Sequence, residues 1–161
     1  MKRLILPLLA ALAIPTAVNA GYKSEFDLMT DKNQIMVWVT SENEVENILD
    51  RKEPVGIVIQ CGSENTFAYL QTGNVIGGDN TNIRIRWDGS APIEENWISS
   101  TDGTQITTRN TKEFIRKLEN SSNIIIGWIP YMDSRKAAKF NLNSQNFKED
   151  IIKARQNGCD I

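Results

Sequence analysis

Apolar residues recur along this chain in two rhythms, and the change from one to the other organises it. From residue 22 to about residue 108 the rhythm is close to period two, as strands with alternating faces require. The clearest core strand is 55–61, where Val55, Ile57, Ile59 and Cys61 share one face. Ahead of it, 22–29 has a mixed pattern that predicts a first strand, closed by turn-prone residues at 30–33. Residues 35–40 are apolar on both faces and β-branched on one, which predicts a strand covered on both sides. The stretch 41–54 is charged and irregular, and a solvated excursion is expected before Pro54 opens the core strand.

A turn of hairpin length at 62–65 leads to a return strand, 66–71. Further on, Ile83, Ile85 and Trp87 alternate with Arg84, Arg86 and Asp88, which predicts a half-buried strand. A turn at 88–92 sends the chain back through 96–99. Asp102-Gly103 then predicts a type I′ hairpin leading into 105–108. Only after this does the period lengthen. Asn110 with Glu113 three residues on resembles a capping box, and Phe114, Ile115 and Leu118 form the helix stripe behind it. The continuous apolar run 124–129 predicts a buried strand, and the alternation of Ala138, Phe140 and Leu142 predicts the last one. Ser144 is expected to cap a final helix with the stripe Phe147, Ile151, Ile152 and Ala154, stopped by Gly158. About nine short strands and two helices make a β-rich α+β domain, an antiparallel sheet or sandwich.

The first twenty residues belong to a different pattern. Lys2 and Arg3 precede an apolar run ending at Ile14, and Val18-Asn-Ala20 places small residues before a cleavage point. This is the layout of a secretory signal peptide, 1–20, leaving a single domain, 21–161. The run is too short to span a bilayer well, so no stable membrane insertion is expected after cleavage. Loss of Lys2 and Arg3 takes the basic residues from 18 to 16 against 20 acidic ones, a net charge of −4. That balance argues against nucleic acid as a partner. Two cysteines in an exported chain are most simply one disulfide, Cys61–Cys159, with two buried thiols or an intermolecular bond as alternatives. The chain has no histidine. Ser-His-Asp and Cys-His catalysis are thereby excluded, with most zinc and haem sites.

Among the remaining chemistry, Asp88, Glu94, Glu95 and Asp102 lie close in sequence. Paired carboxylates hydrolyse glycosides, but acidic residues at Asp-Gly turns ordinarily serve the turn by accepting backbone N–H bonds. Gly77-Gly-Asp-Asn80 lacks the phosphate-loop pattern, and Asp79, Asn80 and Asn82 lack the spacing of a calcium loop. Neither cofactor nor metal is expected. Trp87 lies on the Ile83 and Ile85 side and belongs to the core, whereas Arg84 and Arg86 point the other way.

The order of these elements carries a resemblance. A strand ending in Cys61, the strand 66–70, Ile83-Arg-Ile-Arg-Trp-Asp-Gly89, Trp97-Ile-Ser-Ser-Thr-Asp-Gly103, a helix over 111–120, Phe140-Asn-Leu142 and a terminal helix ending at Cys159 together resemble the VasI/TagO family. These are small periplasmic proteins encoded with type VI secretion systems, with envelope relatives outside such loci. The segment 24–31 is similar to the family's first segment; the acidic 41–53 and Tyr22, where the family has tryptophan, depart from it. The resemblance implies an exported, non-catalytic β-rich domain with paired cysteines and an accessory role.

The function expected from all this is a periplasmic or secreted accessory protein that docks to an envelope protein or to peptidoglycan. The binding residues expected are Arg84, Arg86, Asp88, Glu94 and Glu95, on the polar side of the hairpin made by 83–88 and 96–101. A carboxylate-dependent wall-glycan hydrolase and an inhibitor of a wall-degrading enzyme are the alternative classes.

Overall fold

Two β-rich strands facing each other set the frame. Lys32–Glu46 (β2) runs antiparallel to Lys52–Cys61 (β3), so that Ile35, Val37 and Val39 oppose Cys61, Ile59 and Ile57 on one face. The computed structural model describes residues 20–27, 32–47, 49–62, 65–144 and 146–161. The expected signal segment up to residue 19 and the turn residues 28–31 lie outside these. Ala20–Asp27 (β1) covers the outer side of β2, and Thr66–Gln71 (β4) pairs with β3. Asn80–Trp87 (β5), Ile93–Ser99 (β6) and Gln105–Thr107 (β7) follow, then the helix Thr111–Asn120 (α1). Asn123–Trp128 (β8), Lys136–Asn141 (β9) and Phe147–Gln156 (α2) complete the chain.

All nine strands form one antiparallel sheet in the order β1-β2-β3-β4-β7-β6-β5-β8-β9. The chain leaves β4, goes out to β5, and returns through β6 and β7 to pair with β4. Helix α1 then carries it back across those strands to β8, beside β5. The sheet curls until β9 comes up against β2, one strand in from the β1 edge. Asn43 of β2 donates from Nδ2 to the Ala137 carbonyl at 3.0 Å and accepts the Lys139 N–H at Oδ1 at 2.8 Å. One side-chain amide thus imitates a strand at the seam, satisfying backbone groups that an open edge would leave bare.

The inner face is the core. Val39, Ile57, Leu70 and Ile106 form one cross-strand row, and Trp87, Ile124 and Phe140 another. Both helices lie against this core, α1 through Phe114, Ile115 and Leu118 and α2 through Phe147, Ile151 and Ala154. Phe114 meets Trp97 and Trp87 edge-on, at centroid distances of 5.1 and 5.7 Å. Each fully buried large side chain contributes about 1.5–3 kcal/mol to folding. Cys61 and Cys159 are joined by a disulfide, which ties the end of β3 to the residues just beyond α2.

Four local expectations change. The charged stretch 41–46 is paired strand, not excursion: β2 passes a bulge between Thr40 and Glu44 and continues opposite 52–54. Its charges face solvent while Val45 is buried, and Asn47 shapes the hairpin end by accepting the N–H groups of Leu49 and Arg51. Asn110 makes no side-chain cap; its own N–H goes to Thr108 Oγ1 instead. Helix α2 starts after Asn146, not at Ser144, whose hydroxyl donates to the Asn141 carbonyl, and Ile152 is exposed rather than in the stripe. The turn with two left-handed residues is Asp88-Gly89, with φ of 43° and 77°. At Asp102-Gly103 only the glycine is left-handed.

Candidate binding face

Period two aims Ile83 and Ile85 of β5 into the core, and the same geometry leaves Arg84 and Arg86 exposed on the opposite face. Register decides what lies beside them. Arg84 opposes Gly127 and Arg86 opposes Ile125 on β8, while Gly127 opposes Ala137 on β9. Small and apolar residues therefore sit between the cations of β5 and Arg135, just ahead of β9. The result is a shallow cleft of about 310 Å³ with Ile125, Gly127 and Ala137 in its lining and Arg84, Arg86 and Arg135 around it. Gly127 helps to make the hollow, since a Cβ there would lie 3.7 Å from the Arg84 carbonyl and 3.9 Å from Arg84 Cβ.

The lysine and the arginines of this face differ in their pairing. Lys139 is paired with Glu42 at 2.7 Å, and Arg86 donates to the Gly89 carbonyl at 3.1 Å. Arg84, Arg86 and Arg135 make no salt bridge within 4 Å among the described residues. Glu94 lies across from Arg84 in the β5–β6 register and accepts instead from Asn82 Nδ2 at 3.3 Å.

The five expected binding residues divide accordingly. Arg84, Arg86 and Glu94 share the outer face. Asp88 is held in the turn, where one carboxylate oxygen accepts the N–H groups of Ser122 and Asn123, both at 2.8 Å. Those two donors, Asn123 first, hold its carboxyl below the ordinary aspartate range. Its work is to clamp the start of β8 to the β5–β6 turn. Glu95 stands on the other side of the sheet, accepting from Trp97 Nε1 at 2.9 Å and lining a separate cleft of about 360 Å³ with Asn110, Glu113 and Lys117.

The remaining carboxylate of the sequence cluster is elsewhere again. Asp102 accepts from the Ser100 hydroxyl and from the Thr104 N–H, which lower its pKa, the hydroxyl first. Glu95 and Asp102 line different clefts, so the four carboxylates do not converge on one. No group of three metal-binding side chains is found among the described residues. A polar cleft of about 550 Å³ lies at the start of α1, next to the Lys112–Asp160 salt bridge. Arg135, Ile125, Gly127 and Ala137 were not among the expected site residues. The alternation 136–142 carried a signal for Ala137, because it lies out of phase with Ala138 and Phe140.

No family model matches the chain, and no curated protein matches it. Among solved structures it is similar to the crystal structure of invasion associated protein b from Bartonella henselae. The likeness covers 88% of this chain and 96% of that one, at 13% identity and a TM-score of 0.49.

Proposed function

We propose that the protein is an exported, non-catalytic accessory protein of the bacterial envelope that docks a carboxylate-bearing partner on the outer face of β5, β8 and β9. The partner is an envelope protein or the peptide stem of peptidoglycan. The observation that carries this reading is the cleft with Ile125, Gly127 and Ala137 in its lining and three arginines around it that make no salt bridge among the described residues. Arginine suits such a role because its planar fork meets a carboxylate with two parallel bonds. Arg84 and Arg86 are mounted on a strand, so they lose less freedom on docking than loop residues would. The disulfide suits an oxidising compartment, and the N-terminal pattern supports export with cleavage after Ala20. The VasI/TagO resemblance supports the accessory role.

The test is cosedimentation with purified peptidoglycan sacculi and capture from envelope extract, each over a range of salt concentrations. Arg84→Ala with Arg86→Ala is expected to weaken retention about tenfold or more, the size of a hot-spot loss. Unchanged retention by the double variant refutes this face as the docking site. N-terminal sequencing of the exported product is expected to begin at Gly21; a product beginning at Met1 refutes export by cleavage.

A further inference from the structure

The sheet has one edge that no described strand covers. The β9 edge is bridged by Asn43, but the outer side of β1 has no strand partner among the described residues. Its backbone N–H and C=O groups form a template for another strand. The sequence along that edge is Gly21-Tyr-Lys-Ser-Glu-Phe-Asp27, and it is self-complementary about Ser24. Folded back on a copy of itself, it sets Lys23 against Glu25 and Tyr22 against Phe26, twice each.

We propose that β1 pairs antiparallel with β1 of a second copy of this chain, across a two-fold axis at Ser24, joining two sheets into one. The side chains required are available. Lys23 and Glu25 are 58% and 67% exposed and already attract one another within the strand, at 2.6 Å. Pairing between copies therefore exchanges the two exposed ion pairs within the strands for two across them, with no charge left unpaired. Phe26 is 57% exposed and so free to meet another ring, and the Tyr22 ring has Lys153 Nζ over it at 4.1 Å. Directly opposed aromatic and opposite-charge pairs are the ones that stabilise an antiparallel ladder. The register is specified as well. Moving the axis one residue either way sets Lys23 against Lys23 or Glu25 against Glu25, and a parallel, in-register pairing opposes like charges throughout. A two-fold interface of this kind is closed, so the edge is consumed rather than extended into a filament.

Sedimentation equilibrium over a range of protein concentrations tests the proposal. The unaltered protein is expected to dimerise, and Lys23→Glu and Glu25→Lys are each expected to weaken dimerisation at least about tenfold, since either places like charges in both pairs. Equal mixing of the two single variants is expected to restore dimers, because each supplies the charges the other lacks. The double variant Lys23→Glu with Glu25→Lys is expected to restore them alone. Circular dichroism of each variant is expected to match the unaltered protein, as both side chains are exposed. A monomer at all concentrations, dimers indifferent to the single changes, or a mixture that stays monomeric would each overturn the proposal.

Discussion

Strands β3 and β5 are both interior strands of one sheet with the same alternation, yet their outer faces differ. On β3 the outward Val58 is covered: it lies between Trp38 of β2 and Tyr69 of β4 and is 9% exposed. Trp38 in turn lies over Gly21, where a Cβ would collide with its ring. Burial raises the pKa of the Tyr69 phenol, as expected for a ring packed into such a layer. On β5 the outward residues are arginines beside a glycine and an isoleucine, and nothing of the described chain lies over them. The inner faces make the core in both cases. The outer face of β3 is finished by the chain itself, and that of β5 is open to solvent.

The largest expected effects lie on the inner faces, where the comparison predicts equality. Ile59→Ala on β3 and Ile85→Ala on β5 remove fully buried side chains and should each cost about 2–5 kcal/mol by denaturant titration. A much smaller loss at Ile85 would mean that β5 is not a core strand. Next comes the disulfide, which reinforces the β3 side alone. Cys61→Ala with Cys159→Ala opens a loop with a sequence separation of 98 and should cost about 2–4 kcal/mol. An unchanged midpoint would show that α2 holds the end of β3 without it.

The outer faces should then part company. Val58→Ala should cost about 1 kcal/mol, the usual size for a trimmed buried side chain, whereas Arg84→Ala should stay within about 0.5 kcal/mol. Equal costs would erase the distinction between a finished face and an open one. The Asp88 clamp is a pH-dependent prediction. Its folded pKa lies below the unfolded value, so the ionised carboxylate contributes stability above about pH 3.9 and loses it as pH falls through the folded value. Thermal melts should therefore show the unaltered protein losing stability on acidification more steeply than Asp88→Asn. Parallel melting curves would remove Asp88 from that role.

Strands with one buried face were legible in the sequence because alternation survives wherever one side is wet, as it does through 83–87; 55–61 was legible through Val55, Ile57, Ile59 and Cys61 although Val58 on its other face is covered. The extension of β2 was not. Glu42, Glu44 and Glu46 look like loop residues, and only pairing with 52–54 and the Asn43 bridge to β9 make them strand. The start of α1 directly after Asn110 was legible, but its side-chain cap and the start of α2 were not: Asn110 and Ser144 are cap-type residues whose polar groups the neighbouring turns use differently. Arg84 and Arg86 were legible as outward by parity. The same parity places Glu95 with Trp97 on the inner side, a signal that nearness in sequence to the hairpin turn obscured. Parity likewise turns Ala137 outward, but what brings it, Gly127 and Arg135 to one cleft is the β5–β8–β9 register, which no local pattern encodes.

The central claim is that the β5–β8–β9 outer face meets the partner, and a photo-cross-linking residue in place of Glu94 tests it most directly. Glu94 is exposed on that face beside Arg84; the same substitution at Glu149, exposed on α2, serves as control. Irradiation in envelope extract, read by mass spectrometry for both proteins and muropeptides, should yield a defined adduct from position 94 and none from position 149. Adding Arg84→Ala and Arg86→Ala to the same chain should abolish it. Equal labelling from both positions, or an adduct that survives loss of the two arginines, would contradict the account.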